Sequence, residues 1–410
     1  MTAANPSYRA WRVVRIGDIC RAVNGRAFKP TEWVSDGLPI IRIQNLKNES
    51  ASFNYYAGDV EPKFRVKHGD LLFAWSGTPG TSFGAHIWRG GDAVLNQHIF
   101  NLHFDREAAD EHFLCYALNR NVADYVAKAQ GGVGLAHITK GKFDDSTVPL
   151  PDIAEQRRIV AEIEKQFSRL DEAVANLQRV KAKLKRFRAS VLKAATDGKL
   201  LGGDNKTNWR DALIGEVGQV ISGLTKNPKR EALPRKMPYL RVANVYANEL
   251  RLSDIEYIGV ADKEVEKLLV RRGDLLIVEG NGSPDQIGRV ALWDGSIPDC
   301  VHQNHLIKVR FAADVAPQWA LIWLLSPGGR REIERVSSST AGLHTLSTGK
   351  ISRLPIPVPP LAEQHRIVAE VDRRLSIVRE VDSEVDANLK RAQALRRSVL
   401  QTAFACKLLA

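Results

Sequence analysis

Arginine, asparagine and glutamine carry planar side chains with several donors, the chemistry that pairs with the edges of nucleic-acid bases. In this chain Arg26, Gln44, Asn45, Gln97, Asn244, Gln286, Gln303 and Asn304 are the candidates for that role. Each could equally satisfy a local backbone group. Two glycine-rich segments, SGTPGTSFG (76–84) and GNGSPDQIG (280–288), would bring backbone and short polar groups close to a ligand. They supply Ser76, Thr78, Asn281 and Ser283; a plain surface turn is the competing reading. Lys29, Lys226, Lys229, Arg230, Arg235 and Lys236 suit phosphates, and the last five crowd into TKNPKREALPRK (225–236), otherwise a solvated loop.

The overall charge agrees with a polyanionic partner. Lys and Arg outnumber Asp and Glu by 59 to 47, a formal charge of +12. Hydrophobic residues at 44% and charged residues at 26% are globular values, so a folded chain rather than a disordered one is expected. Cys20, Cys115, Cys300 and Cys406 form no CxxC or Cys/His ligand cluster, so neither zinc nor a disulfide framework is expected, and a cytoplasmic setting fits. His98, His302 and His305 lack a spaced carboxylate or cysteine partner and read as strand or loop residues. The N-terminus lacks the apolar core of a signal peptide, and the run Trp319 to Leu325 is too short to span a bilayer, so no membrane is expected.

Catalytic machinery is not visible. Gly349 and Lys350 are followed by Ile351, with His344 where a phosphate loop needs its first glycine. Pro359 and Pro360 sit between Val358 and Leu361, not between Asn or Asp and an aromatic residue as in adenine methyltransferases. No catalytic residue and no metal ligand is therefore assigned.

What must position the candidates is written twice. EQRRIVAE (155–162) returns as EQHRIVAE (363–370), and SVLKAATDGKLL (190–201) as SVLQTAFACKLL (398–409), both 208 positions on. Upstream the echo continues with a drifting offset, as in GDLLFAW (69–75) with GDLLIVE (273–279), and NQHI (96–99) with QNHL (303–306). Ile163, Leu170, Leu177, Leu184 and Val191 recur every seven residues, and Val371, Val378, Val385, Ala392 and Val399 fill the same slots in the second copy. Asp152 with Glu155 can form a capping box, Pro360 suits a first turn, and Gly198 could end the first helix. The competing reading of such stripes is burial against a neighbouring domain. A helix of roughly 45 residues spans roughly 70 Å, however, more than one small domain covers, so its partner should be the other copy. Connectivity makes the pair antiparallel.

The upstream regions read as mixed α/β. LPIIRIQNL, GDLLFAW and AVLNQHIFNLHF have strand character, while 108–128 and 317–336 look helical. The expected fold is thus two copies of a mixed α/β globular region, separated by two long antiparallel α-helices forming a coiled coil, with an internal pseudo-two-fold. The limits are 1–151 and 207–359 for the globular regions, and 152–206 and 360–410 for the helical spacers. The basic run Lys181, Lys183, Lys185, Arg186 and Arg188 lies on the first helix, where an exposed charged face is the plain explanation.

The two helix starts, the two helix ends and the order variable region, helix, variable region, helix resemble the specificity (S) subunit of type I restriction-modification enzymes over essentially the whole length. The resemblance implies two target-recognition domains that read a bipartite sequence in double-stranded DNA, held apart by a coiled-coil ruler. It implies a subunit without catalysis of its own, recruiting two modification (M) subunits that bind S-adenosylmethionine and methylate adenine. In the full complex it also implies restriction (R) subunits using ATP and Mg. The departure of ACKL (405–408) from DGKL touches only the second helix end. A coiled-coil scaffold without nucleic acid, and a single-chain DNA-modifying enzyme with an unrecognised site, are the alternatives.

Overall fold

The computed structural model describes the chain apart from residues 1–10, 49–50, 78–81, 123–124, 126–135, 203–205, 282–285, 341–342 and 406–410. Thr78, Ser283 and Cys406 lie outside the described residues, and so does the side chain of Asn281. The chain forms two compact units, Met1–Leu177 with Ala387–Ala410, and Gln178–Asp386. The division falls inside both long helices, Ile153–Thr196 and Leu361–Phe404, so each unit owns a globular part and a stretch of each helix.

In the first unit a four-stranded antiparallel sheet runs in the order Cys20–Asn24, Ile99–Phe104, Leu71–Ala74, Gly84–Ile87. A second sheet orders Asn54–Tyr56, Leu38–Ile41, Ala93–Leu95 and Arg65–Val66, its middle pair parallel. The second unit repeats the first sheet with Gly218–Ser222, Leu306–Phe311, Leu275–Val278 and Val290–Leu292. It also repeats the parallel pair, Lys236–Leu240 beside Val301–His302. The mixed α/β reading and the duplication therefore hold.

Three expected elements come out differently. AVLNQHIFNLHF is two strands in two sheets, because Ile99 N closes a turn on Asn96 O at 3.2 Å. LPIIRIQNL is the strand Leu38–Ile41 followed by the helix Ile43–Lys47, which begins where Asn45 Oδ1 accepts from Arg42 N at 3.0 Å. The stretch 317–336 is broken into Pro317–Leu325 and Pro327–Val336. Pro327 has no N–H to continue the first helix, and Ser326 Oγ accepts from Gly329 N to start the second.

Each long helix has 44 residues. The first starts where Asp152 Oδ1 accepts from Glu155 N at 2.8 Å. It ends in a left-handed Gly198 (φ +75°), with Lys199 N reaching back to Ala194 O at 2.9 Å. Within the first unit, Ile163 and Val399 share one core, and two turns further along Asp171 pairs with Arg396, whose guanidinium also lies 4.6 Å from the Phe167 ring centroid. Within the second, Lys181 pairs with Asp386, and further on Arg188 lines a groove with Val378. In both units one helix advances as the other retreats, so the pairing is antiparallel. Val371, Val378, Val385, Ala392 and Val399 are buried, as are Ile163 and Val191, while Leu170, Leu177 and Leu184 are half-buried.

The duplicated octapeptide has a structural cause. Gln156 and Gln364 are fully buried. Gln156 Oε1 accepts from Asp110 N (2.9 Å), and its amide donates to Ala108 O (3.1 Å) and Pro151 O (2.9 Å). Gln364 Oε1 accepts from Ala316 N (2.7 Å), and its amide donates to Asp314 O (2.9 Å) and Pro359 O (2.8 Å). Three backbone groups that burial would otherwise orphan are satisfied each time, which fixes the helix start to its globular part. Ile159 and Ile367, one turn on, go into the two cores.

Candidate nucleic-acid interface

At one end of each four-stranded sheet four chain segments converge in the same backbone frame. Trp75 N donates to His98 O (3.3 Å) and Ile138 N to Trp75 O (3.0 Å); in the second unit Glu279 N donates to His305 O (2.9 Å) and Leu346 N to Glu279 O (2.6 Å). The fourth segment is Asn24-Gly25 in one unit and Ser222-Gly223 in the other. A Cβ on Gly25 would lie 2.2 Å from Asn96 O, and one on Gly223 2.1 Å from His302 O, so only glycine lets the strands close there.

Side chains fill this common frame differently. In the first unit Trp75 Nε1 donates to Asn24 Oδ1 at 2.9 Å, and the indole stacks on Phe100 at 5.8 Å between centroids. His98 meets Trp75 edge-on at 5.3 Å and His137 does so at 4.6 Å. Gln97 Nε2 lies 3.3 Å from His98 Nε2, and His98 Nδ1 is buried without a hydrogen-bond partner. In the second unit Asn304 Nδ2 lies 3.4 Å from His305 Nε2, and His305 Nδ1 is 2.9 Å from Glu279 Oε2. Both rings thus contact the preceding amide, and in the second unit the Glu279 carboxylate, which can only accept, makes Nδ1 the N–H of His305. Ser76, Gln97 and Asn304 among the candidates belong to this place, and the two glycine-rich segments leave from it.

Other candidates are spent on the fold. Asn45 and Asn244 are each 2% exposed. Asn45 also donates to Ala51 O and Ser52 O. Asn244 Oδ1 accepts from Arg241 N (2.8 Å), and its amide donates to Arg251 O (2.8 Å) and Asp254 O (2.9 Å). Both are corrected from base readers to helix-start caps, since reading a base would orphan buried backbone groups. Arg230 forms a two-pronged pair with Glu264 (3.0 and 2.9 Å), so it is a structural cation rather than a phosphate contact. Arg26 pairs with Glu32 and lies 4.8 Å from the ring centroids of Phe28 and Tyr56. Gln303 accepts from Val242 N at 3.2 Å, Lys226 pairs with Glu256, Arg235 with Asp262, and Lys236 donates to Glu231 O. Gln44, Lys29, Lys229 and Gln286 are exposed.

The buried polar groups are structural as well. Burial pushes the thiols of Cys20, Cys115 and Cys300 up to about 12, so they stay protonated. Burial holds His302 down to about 4, its Nδ1 2.7 Å from Leu306 O. Lys308, with no exposed surface, is lowered to about 8 by desolvation and donates to Lys267 O and Leu269 O at 2.8 Å. Sequence reasoning missed Trp75, His137 and Glu279 and set His98 and His305 aside; the signals for them were the aligned GDLLFAW and GDLLIVE for Trp75 and Glu279, and the aligned NQHI and QNHL for His98 and His305.

A fold written twice, each copy ending in a cluster of imidazole and amide groups, built around an indole in one and a carboxylate in the other, defines a two-module recognition protein. The model of the type I restriction modification DNA specificity domain matches residues 8–186 and again 206–379, and the chain belongs to that family. It is similar to the EcoBI specificity subunit of Escherichia coli, 25% identical with 96% of this chain and 85% of that protein covered. The EcoKI specificity subunit of Escherichia coli strain K12 is also 25% identical, over 96% and 88%, and the StySPI specificity subunit of Salmonella potsdam 23% identical, over 96% and 88%. A solved chain described for complex assembly and conformational transition of the type I R-M system has the same fold. Its TM-score is 0.72 at 19% identity, with 98% of this chain and 99% of that one covered.

Proposed function

We infer that this chain is the sequence-specificity subunit of a type I restriction-modification complex, reading a bipartite target in double-stranded DNA. The observation that carries it is the one mixed α/β fold present twice on shared long helices, each copy matched by the DNA specificity family. Each globular part takes one half-site, and the length of the helices sets the number of unread base pairs between the halves. For two modules on one face of the duplex the half-site centres lie about one helical turn, roughly 34 Å, apart. The chain itself performs no catalysis. It recruits two M subunits, whose S-adenosylmethionine supplies the methyl group, and R subunits that use ATP and Mg. The complex works in the cytoplasm; among the described residues no helix is long and apolar enough to cross a membrane.

The test is methylation mapping of the source genome with and without this gene. Loss of adenine methylation on both strands of a split motif is the expected result; loss of an unsplit motif, or no loss, contradicts the reading. Binding that is insensitive to salt would favour a scaffold without DNA, since phosphate contacts weaken steeply as salt rises.

A further inference from the structure

The two units hold their clusters in one backbone frame yet place opposite chemistries at its centre, an indole at Trp75 and a carboxylate at Glu279. A carboxylate on a surface meant for DNA is repelled by phosphates and by the acceptor atoms of guanine and thymine, and it gains only from an N–H donor. We propose that Glu279 reads a cytosine amino group in the half-site bound by residues 207–359, with His305 as its positioning residue. The assignment rests on the proposed DNA-reading function.

Four observations carry it. Glu279 sits at the end of the central strand Leu275–Val278, its backbone fixed by His305 O on one side and Leu346 N on the other. Its Oε2 takes the Nδ1–H of His305 at 2.9 Å, which leaves Oε1 as an acceptor, and the carboxylate side chain keeps 27% of its surface open. His305 is itself oriented by Asn304, the chain neighbour that also accepts from Ser222 Oγ through its carbonyl at 3.3 Å. In the first unit the same imidazole, His98, meets the Trp75 indole instead, and among the described residues its Nδ1 has neither a carboxylate nor another partner, so there the acceptor function belongs to the second unit. Adenine also offers an amino group in the major groove, but its N7 acceptor lies beside it and opposes a carboxylate; cytosine has no such neighbour.

The experiment uses the chain assembled with its methyltransferase partner, comparing wild type, Glu279→Gln and His305→Ala by methylation mapping. It adds competition with duplexes in which single base pairs of the target are exchanged. For wild type, one cytosine of one half-site should be worth roughly 5- to 150-fold in affinity. In Glu279→Gln that position should fall below about threefold discrimination and admit adenine, which a glutamine amide can pair with. Every other position should keep its wild-type preference. His305→Ala should weaken discrimination at the same position and nowhere else. Unchanged discrimination in Glu279→Gln overturns the assignment, and so does a uniform loss across all positions or a target without cytosine in that half. A wild-type complex that selects no motif at all would instead remove the proposed function itself.

Discussion

Replacing Gln364 with Ala removes one acceptor and one amide that together make three bonds of 2.7–2.9 Å inside a side-chain site with no exposure. Each bond is worth about 1 kcal/mol net, and the backbone N–H of the buried Ala316 would be left without a partner, so the loss should be at least about 3 kcal/mol. For a unit of this size that is a fall of roughly 6–12 °C in its unfolding midpoint. Gln156→Ala should cost the same in the first unit, since its three bonds have the same partners in kind. The assay is calorimetric unfolding of the full chain, with hydrogen exchange to locate the lost protection at Asp314–Ala316 and the start of the second long helix. Gln364→Glu is the sharper variant: it keeps the acceptor but turns the donor into an oxygen facing two carbonyl oxygens, and at neutral pH it should destabilise more than Ala. If both Ala variants unfold within about 1 °C of wild type and exchange is unchanged, the buried glutamine is not what fastens the helices to the globular parts.

Three more expectations follow from the same geometry. His302 titrates at about 4 when folded and near its usual 6.5 when unfolded, so between those pH values only the unfolded chain holds the proton and stability falls as pH drops through that window. The full effect is about 3 kcal/mol, and urea midpoints at pH 7 and pH 4.5 should converge for His302→Leu relative to wild type; equal slopes in the two proteins contradict it. Gly223→Ala would set a methyl group 2.1 Å from His302 O and 2.5 Å from Gln303 O, so it should destabilise by about 1–3 kcal/mol, checked by urea denaturation. Asn244→Ala should lower stability by about 1–3 kcal/mol through its lost backbone bonds, measured the same way, whereas Gln97→Ala, on an exposed turn, should leave stability within about 0.5 kcal/mol and alter only DNA selection.

The long helices were legible because a seven-residue stripe is local information: Ile163 to Val191 states its period without reference to anything else in the chain. Their docking was half legible. The repeated Glu-Gln pair marks both starts, but that Gln156 turns inward to Asp110 and Ala108 depends on a contact 46–48 residues away. Asn45 and Asn244 misled for a related reason, since an amide suited to adenine is equally suited to capping Arg42 N or Arg241 N, and composition does not separate the two uses. The cluster at Trp75, His98 and His137, and its counterpart at Glu279 and His305, is assembled by strand pairing between segments tens of residues apart. No spacing rule along the chain announces it. The split of AVLNQHIFNLHF between two sheets is of the same kind, because its apolar run continues through the turn at Asn96 to His98.

The central claim is that each globular part chooses its own half of the target. Its most direct measurement is to exchange residues 207–359 for the corresponding segment of a relative and map adenine methylation in cells that also supply the methyltransferase partner. The account predicts a hybrid motif in which one half and the gap are kept and the other half becomes that of the donor. A motif changed in both halves, or one left intact, would contradict it.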